Sequence, residues 1–185
     1  MQSQDLDQSK NRMEKAIQNL EEEFNTIRVG RANPHVLDRI TVDYYGTMTP
    51  LNQVGNISVP EPRMLMFQPW DASMVKAIEK ALNASELGIH PTSDGKVIRL
   101  VFPELTEEKR KETSKEVKKK GEAAKVAIRN IRRDMMDSLK KQKKDNEITE
   151  DDQKDLEEKL QKMTDEFIKK VDQRVEVKTK EVMAI

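Results

Sequence analysis

The chain has 185 residues, 34 of them basic and 34 acidic, so its formal net charge is zero and any cationic surface must come from where the charges sit. Cysteine is absent, which excludes disulfides, thiolate nucleophiles and zinc–thiolate sites. Charged residues make up 37% and aromatics 4%, a balance that suits exposed helices better than one broad core.

The opening stretch MQSQDLDQSKNR has no apolar run, so no secretory signal is expected. No segment approaches the roughly 18 consecutive apolar residues of a membrane span. A cytoplasmic location with no membrane partner is the expectation. The first helix follows directly. Leu6, Met13, Ile17, Leu20, Phe24 and Ile27 recur at helical spacing among Lys, Glu, Gln and Asn, the seam of a coiled coil or bundle helix.

The texture changes from Gly30 to about Leu105, where five of the six glycines and all seven prolines lie. Short alternating or apolar runs at 40–44, 56–59, 64–67 and 96–102 are bounded by turn residues such as Tyr45-Gly46 and Ser93-Asp94-Gly95, and read as strands. One helix interrupts them, with Asp71 as its N-cap and Val75, Ile78 and Leu82 on one face. After Pro103, Thr106 caps a long helix whose seam is Val117, Gly121, Ala124, Ile128, Ile131, Met135 and Leu139. The run KKDNE ends it. Thr149 caps a third helix with Leu156, Leu160, Met163 and Phe167 on its seam, shifting to Ile168, Val171, Val175 and Val182. At ~1.5 Å per residue the last two helices run roughly 50–60 Å and need partners.

Three seams imply an α+β chain: a three-helix bundle formed by 1–29 and 106–185, with a small β/α/β domain at 30–105 inserted between helices 1 and 2. The chain then crosses between the two parts twice, which predicts a two-strand hinge near 30–34 and 102–105 at Gly30, Pro34, Pro103 and Glu104.

The second long helix carries a cationic stripe beside its seam. With Ile128 as origin at 100° per residue, Arg132 falls at about 40°, Lys125 at about 60°, Arg129 at about 100° and Arg133 at about 140°. Lys111, Lys118, Lys125 and Arg132 are seven apart, Lys140 and Lys143 extend the line, and Glu116, Asp134 and Asp137 are read as pointing elsewhere. Arginine suits phosphate because its planar fork binds two oxygens at once. No aromatic interleaves, so backbone or shape recognition is indicated over base stacking. The plainer reading is a solvated helix face with i,i+4 partners.

The segments IRVGRANPHVLDRITVDYYGTMTPLNQV, DASMVKAIEKALNASELGIHPTSDGKVIRLVFPELTEEKRKE and AAKVAIRNIRRDMMDSLKK together resemble the bacterial ribosome recycling factor family, in order and over nearly the whole chain. The resemblance implies an L-shaped molecule of the architecture above. It also implies a role after termination: splitting the ribosome from messenger and transfer RNA with elongation factor G and its GTP hydrolysis, before initiation factor three holds the subunits apart. The family's helical domain lies on large-subunit ribosomal RNA, and its implicated arginines match Arg129 and Arg132. The RNA-binding candidates are thus Arg129, Arg132, Arg133, Lys125, Lys118, Arg28, Arg31 and Arg110, with Arg28 also readable as a C-terminal cap of helix 1. VGRANP departs from the commoner TGRASP. Glu104 stands where proline is frequent, a change that loosens the return strand.

Partners are expected to be the ribosome and elongation factor G, the chain itself a monomer. A coiled-coil scaffold without an RNA role is the alternative. No Walker loop, nucleophile elbow or HExxH is present, so no enzyme activity and no cofactor or metal are expected. His35 and His90 are read as packing or loop residues, Trp70 as packed in the small domain, and the methionines as core fill.

Overall fold

A computed structural model describes residues 2–184, with side chains from residue 5 onward; the outermost residues of the expected bundle, 1 and 185, lie outside the described residues. Among the described residues four α-helices and six strands follow in the order α1 (Gln2–Asn25), β1 (Thr41–Tyr44), β2 (Thr47–Pro50), β3 (Gly55–Glu61), β4 (Met64–Pro69), α2 (Val75–Ala84), β5 (Thr92–Ser93), β6 (Ile98–Val101), α3 (Glu107–Lys144) and α4 (Glu150–Met183). Among the described residues no helix is long and apolar enough to cross a membrane. The described residues form two compact units, one from residues up to 24 with 114–181 and the other from 25–113 with the residues from 182 on.

The first unit is built from α1, α3 and α4. Met13, Leu20 and Phe24 of α1, Val117, Ala124, Ile128, Ile131, Met135 and Leu139 of α3, and Leu156, Leu160, Phe167 and Val171 of α4 are buried. Polar ties bind each helix to both others. Arg12 pairs with Asp134 at 2.9 Å, Lys120 with Glu23 at 2.8 Å, and Arg174 with Glu21 at 2.8 Å. The amide of Gln142 donates to Asp5 at 2.8 Å. Leu6 and Ile17 of the α1 seam are only half-buried.

Local chemistry sets the helix ends. Glu147 N–H returns to the Gln142 carbonyl at 2.8 Å and Asn146 N–H to that of Lys143 at 3.0 Å, with Asn146 at φ +56°. This pair of bonds is a Schellman closure with asparagine in the left-handed position. Thr149 then caps α4 reciprocally: Asp152 N–H donates to its hydroxyl and its own N–H donates to the Asp152 carboxylate, both at 3.1 Å. Thr106 accepts from Lys109 N–H at 3.2 Å to start α3.

The second unit holds two antiparallel sheets, the hairpin β1–β2 and a four-stranded sheet in the order β3-β4-β6-β5. β2 and β5 are absent from the sequence expectation. β2 has no apolar residue facing the core, and β5 spans two residues, so neither has a period to detect. Tyr45 and Gly46, at φ +50° and +86°, turn the first hairpin. In the β5–β6 turn Asp94 accepts the amides of Val97 and Lys96, which hold its carboxyl below the usual range. Leu65 and Phe67 of β4 and Ile98 and Leu100 of β6 form the core with Val75, Ile78 and Leu82 of α2.

Gly121 fixes the approach of α3 to α4, since a Cβ there would overlap the Val175 Cγ2 methyl. Valine in a helix is confined to essentially one rotamer and cannot turn that methyl aside. Gly121→Ala, elsewhere a helix-stabilising change, is therefore expected to destabilise by about 1 kcal/mol or more, roughly 2–4 °C in Tm. A thermal melt by circular dichroism checks this; a raised Tm means the helices have room to spare.

Candidate nucleic-acid interface

The seam of α3 is turned inward, so the residues flanking it are sorted by what lies beside them. Lys125 has only 15% of its side chain exposed and is held between Asp172 of α4 and Glu122 one turn back, the latter at 3.1 Å. Those hydrogen bonds, Asp172 first, raise its pKa above the ordinary lysine value against the opposing cost of burial. Its charge is spent inside the bundle, which corrects its placement among free phosphate-facing cations. Glu122 itself falls within the arc assigned to cations, and its i,i+3 spacing to Lys125 was visible in the sequence. Lys111 is likewise paired, with Glu107 at 2.7 Å.

The arginines divide differently. Of the five in this unit, Arg12 and Arg174 are ion-paired to neighbouring helices. Arg132 is half-buried and donates through Nη1 to the Gln161 amide oxygen at 2.9 Å, which fixes the direction of its guanidinium. Gln161 in turn donates to Asp165 at 2.8 Å. Arg129 and Arg133, one turn apart and exposed, have no hydrogen-bond or ion-pair partner among the described residues. Lys118 is exposed and unpaired in the same sense. Asp137 stands one turn beyond Arg133, closer than the wheel implied, yet the two form no ion pair. The arrangement is a patch of three arginines over about one turn, one braced and two free, well suited to a row of phosphate oxygens.

Arg28, Arg31 and Arg110 belong to the other unit. α1 ends at Asn25, so Arg28 lies beyond its last turn and is not a cap of the helix. Its guanidinium donates instead to the Leu87 carbonyl at 3.4 Å. Arg31 is exposed, and Arg110 is half-buried with an Nε that finds no partner.

The expected hinge residues are also placed. Gly30 has φ +71° with open space around it, a backbone that favours glycine. Pro34 opens a short 3-10 turn capped by the Asn33 side chain. Glu104 pairs with Arg63 at 2.8 Å, so the residue expected to loosen the return strand tethers it.

Two other expectations need correction. Trp70 is 70% exposed, because Leu65, Phe67 and Pro69 take the inward positions of β4 and put residue 70 on the outer parity. Only Met13 and Met135 are buried among the described methionines, while Met48 is 64% exposed. His35 lies in the short 3-10 turn Pro34–Leu37 with Asp38 at 2.9 Å, consistent with a loop role, and no group of three or more metal-ligating side chains occurs among the described residues.

Comparison with known proteins agrees with this architecture. The family model described as ribosome recycling factor matches residues 20–183. The chain is 60% identical to the ribosome-recycling factor of Agathobacter rectalis, covering 97% of this chain and 98% of that one. It is 60% identical to that of Caldicellulosiruptor bescii, covering 94% and 95%. A solution structure of ribosome recycling factor superposes with a TM-score of 0.82 at 37% identity, covering 100% of this chain and 98% of the other. A second, with a TM-score of 0.69 and 41% identity over the full length of both, is the Thermus thermophilus factor placed with Escherichia coli elongation factor G on the E. coli post-termination complex. The fold is thus that of a translation factor with long helices and a small mixed domain. The chain belongs to the ribosome recycling factor family, and its work lies in the recycling step of protein biosynthesis.

The paired Lys125 gives a stability test. Because its folded pKa is raised, its contribution is complete below the unfolded value of about 10.4 and is lost as pH rises through the higher folded value. Wild type is expected to lose Tm more steeply above about pH 10 than Lys125→Met, while Lys118→Met follows wild type. Parallel alkaline melting curves for wild type and Lys125→Met would show the pair to be unimportant.

Proposed function

We propose that the chain splits post-termination ribosomes together with elongation factor G and its GTP hydrolysis, and that it binds large-subunit ribosomal RNA through the α3 face bearing Arg129, Arg132 and Arg133. It acts in the cytoplasm as a monomer and supplies binding and geometry, the chemistry of GTP belonging to its partner. One observation carries the RNA reading. The bundle pairs its other arginines internally and leaves Arg129 and Arg133 free beside a braced Arg132. Leaving two adjacent guanidinium groups uncompensated on a neutral protein costs mutual repulsion, which a polyanion removes. The family relation to a factor placed on a post-termination complex with elongation factor G supports the same reading.

Binding to isolated large subunits across a salt series tests it. Arg132→Ala is expected to weaken binding more than tenfold, since a charge-assisted contact contributes roughly 1.5–3 kcal/mol. Arg129→Ala and Arg133→Ala are each expected to make the salt dependence shallower by about one contact. Arg132→Lys should restore only part of the loss, because lysine cannot make the bidentate contact. Lys169→Ala, an exposed cation on α4, serves as the charge-matched control. All variants should melt like wild type, surface changes staying within about 0.5 kcal/mol. Unchanged binding of Arg132→Ala at every salt concentration would leave the patch a solvated face and favour a scaffold role.

A further inference from the structure

The turn between β3 and β4 meets both chain crossings, the returning one as a continuation of the β4–β6 ladder one step beyond Met64↔Val101. The Pro62 carbonyl accepts the N–H of Ala32 at 2.8 Å, and the next carbonyl, that of Arg63, accepts the N–H of Phe102 at 2.7 Å. Arg63 then reaches Glu104 through its guanidinium at 2.8 Å. One two-residue corner therefore holds both chain crossings, the outgoing strand at Ala32 and the returning strand at Phe102 and Glu104. The local sequence explains why this corner is available. Pro60 and Pro62 cannot donate to a ladder, and the register of β3 slips between Ser58 and Glu61, so the edge strand ends irregularly and the Pro62 carbonyl just past it is left to accept the outgoing strand.

The outgoing segment is secured at two further points. The Asn33 side-chain amide donates to the carbonyl of Asn25 at 3.1 Å, closing the loop 25–33 on itself, and Arg28 donates to Leu87 at 3.4 Å. On the return side Phe102 is buried in the core of the same unit. Beyond Glu104 only Leu105 precedes the capping residue Thr106. The residues expected to flex, Pro34, Pro103 and Glu104, all lie at or inside these attachments.

We propose that Arg63 is a positioning residue: with Pro62 it clasps both linkers onto the small domain, so that they move with it and bending is confined to the few residues outside the clasp. Glu104 is the electrostatic half of the device. A proline there stiffens the return strand by fixing φ; glutamate achieves attachment through an ion pair. The two differ in one physical respect, since an exposed pair is weakened by salt and a ring is not. The side chains of Arg63 and Glu104 are 48% and 80% exposed, so the clasp on the return strand is salt-sensitive.

The test needs no ribosome and so stands or falls apart from the recycling reading. Backbone amide exchange and 15N relaxation are measured on the full chain for wild type, Arg63→Glu, Glu104→Arg and the double swap Arg63→Glu/Glu104→Arg. Arg63→Glu is expected to speed exchange at Phe102 about two- to fivefold and to lower the heteronuclear NOE at Glu104 and Leu105, with the global melt unchanged. The double swap should return both, and raised salt should shift wild type toward the single variants but leave a Glu104→Pro variant unmoved. Identical exchange and NOE values in wild type and Arg63→Glu, or a double swap that restores neither, would overturn the proposal.

Discussion

The inward phase of the α3 seam governs what this molecule can present. A helix of 38 residues with 37% charge in its parent chain has little reason to persist alone, and its stability comes from burying Val117 through Leu139 against α1 and α4. Once that line faces inward the azimuth of every other residue on the helix is fixed. Lys125 and Arg132 stand at the border with α4 and are claimed by Asp172 and Gln161, while Arg129 and Arg133 are exposed and form no ion pair or hydrogen bond among the described residues. The absence of a side chain at Gly121 lets α4 come close enough for these border contacts to form. Packing and recognition are consequences of one rotation.

The small domain follows a different logic. Its core is a sheet face covered by α2, and its strands are short enough that turn chemistry decides where each begins. Positive φ at Tyr45, Gly46 and Gly95 and the carboxylate of Asp94 set the hairpins. The same economy applies to the chain crossings, which are fastened by carbonyls left over at a proline-rich corner.

Long-period features were legible in the sequence. The three seams, the caps at Thr106 and Thr149 and four of the six strands all rest on local spacing, and local spacing survives folding, whereas Asp71 caps the short 3-10 turn Ala72–Met74 that leads into α2 rather than α2 itself. The arginine patch was legible as an azimuth. What escaped depended on partners distant in the chain. Asp172 and Gln161 lie 47 and 29 residues from the cations they hold, and no pattern on α3 points to them. Arg63 is separated from Glu104 in the same way, so a substitution that looked loosening proved to be an attachment. Trp70 is the exception: the alternation of β4 puts it on the outer parity, and parity outweighs the preference of tryptophan for burial.

Arginine-selective chemical modification, read residue by residue by mass spectrometry with and without isolated large subunits, measures most directly whether the α3 face is the one that meets RNA. Protection of Arg129, Arg132 and Arg133 on binding, with Arg12 and Arg174 reacting as they do in the free protein, is the expected result. Equal reactivity of Arg129 and Arg133 in the free and bound states, with protection shifted to Arg12 or Arg174, would contradict it.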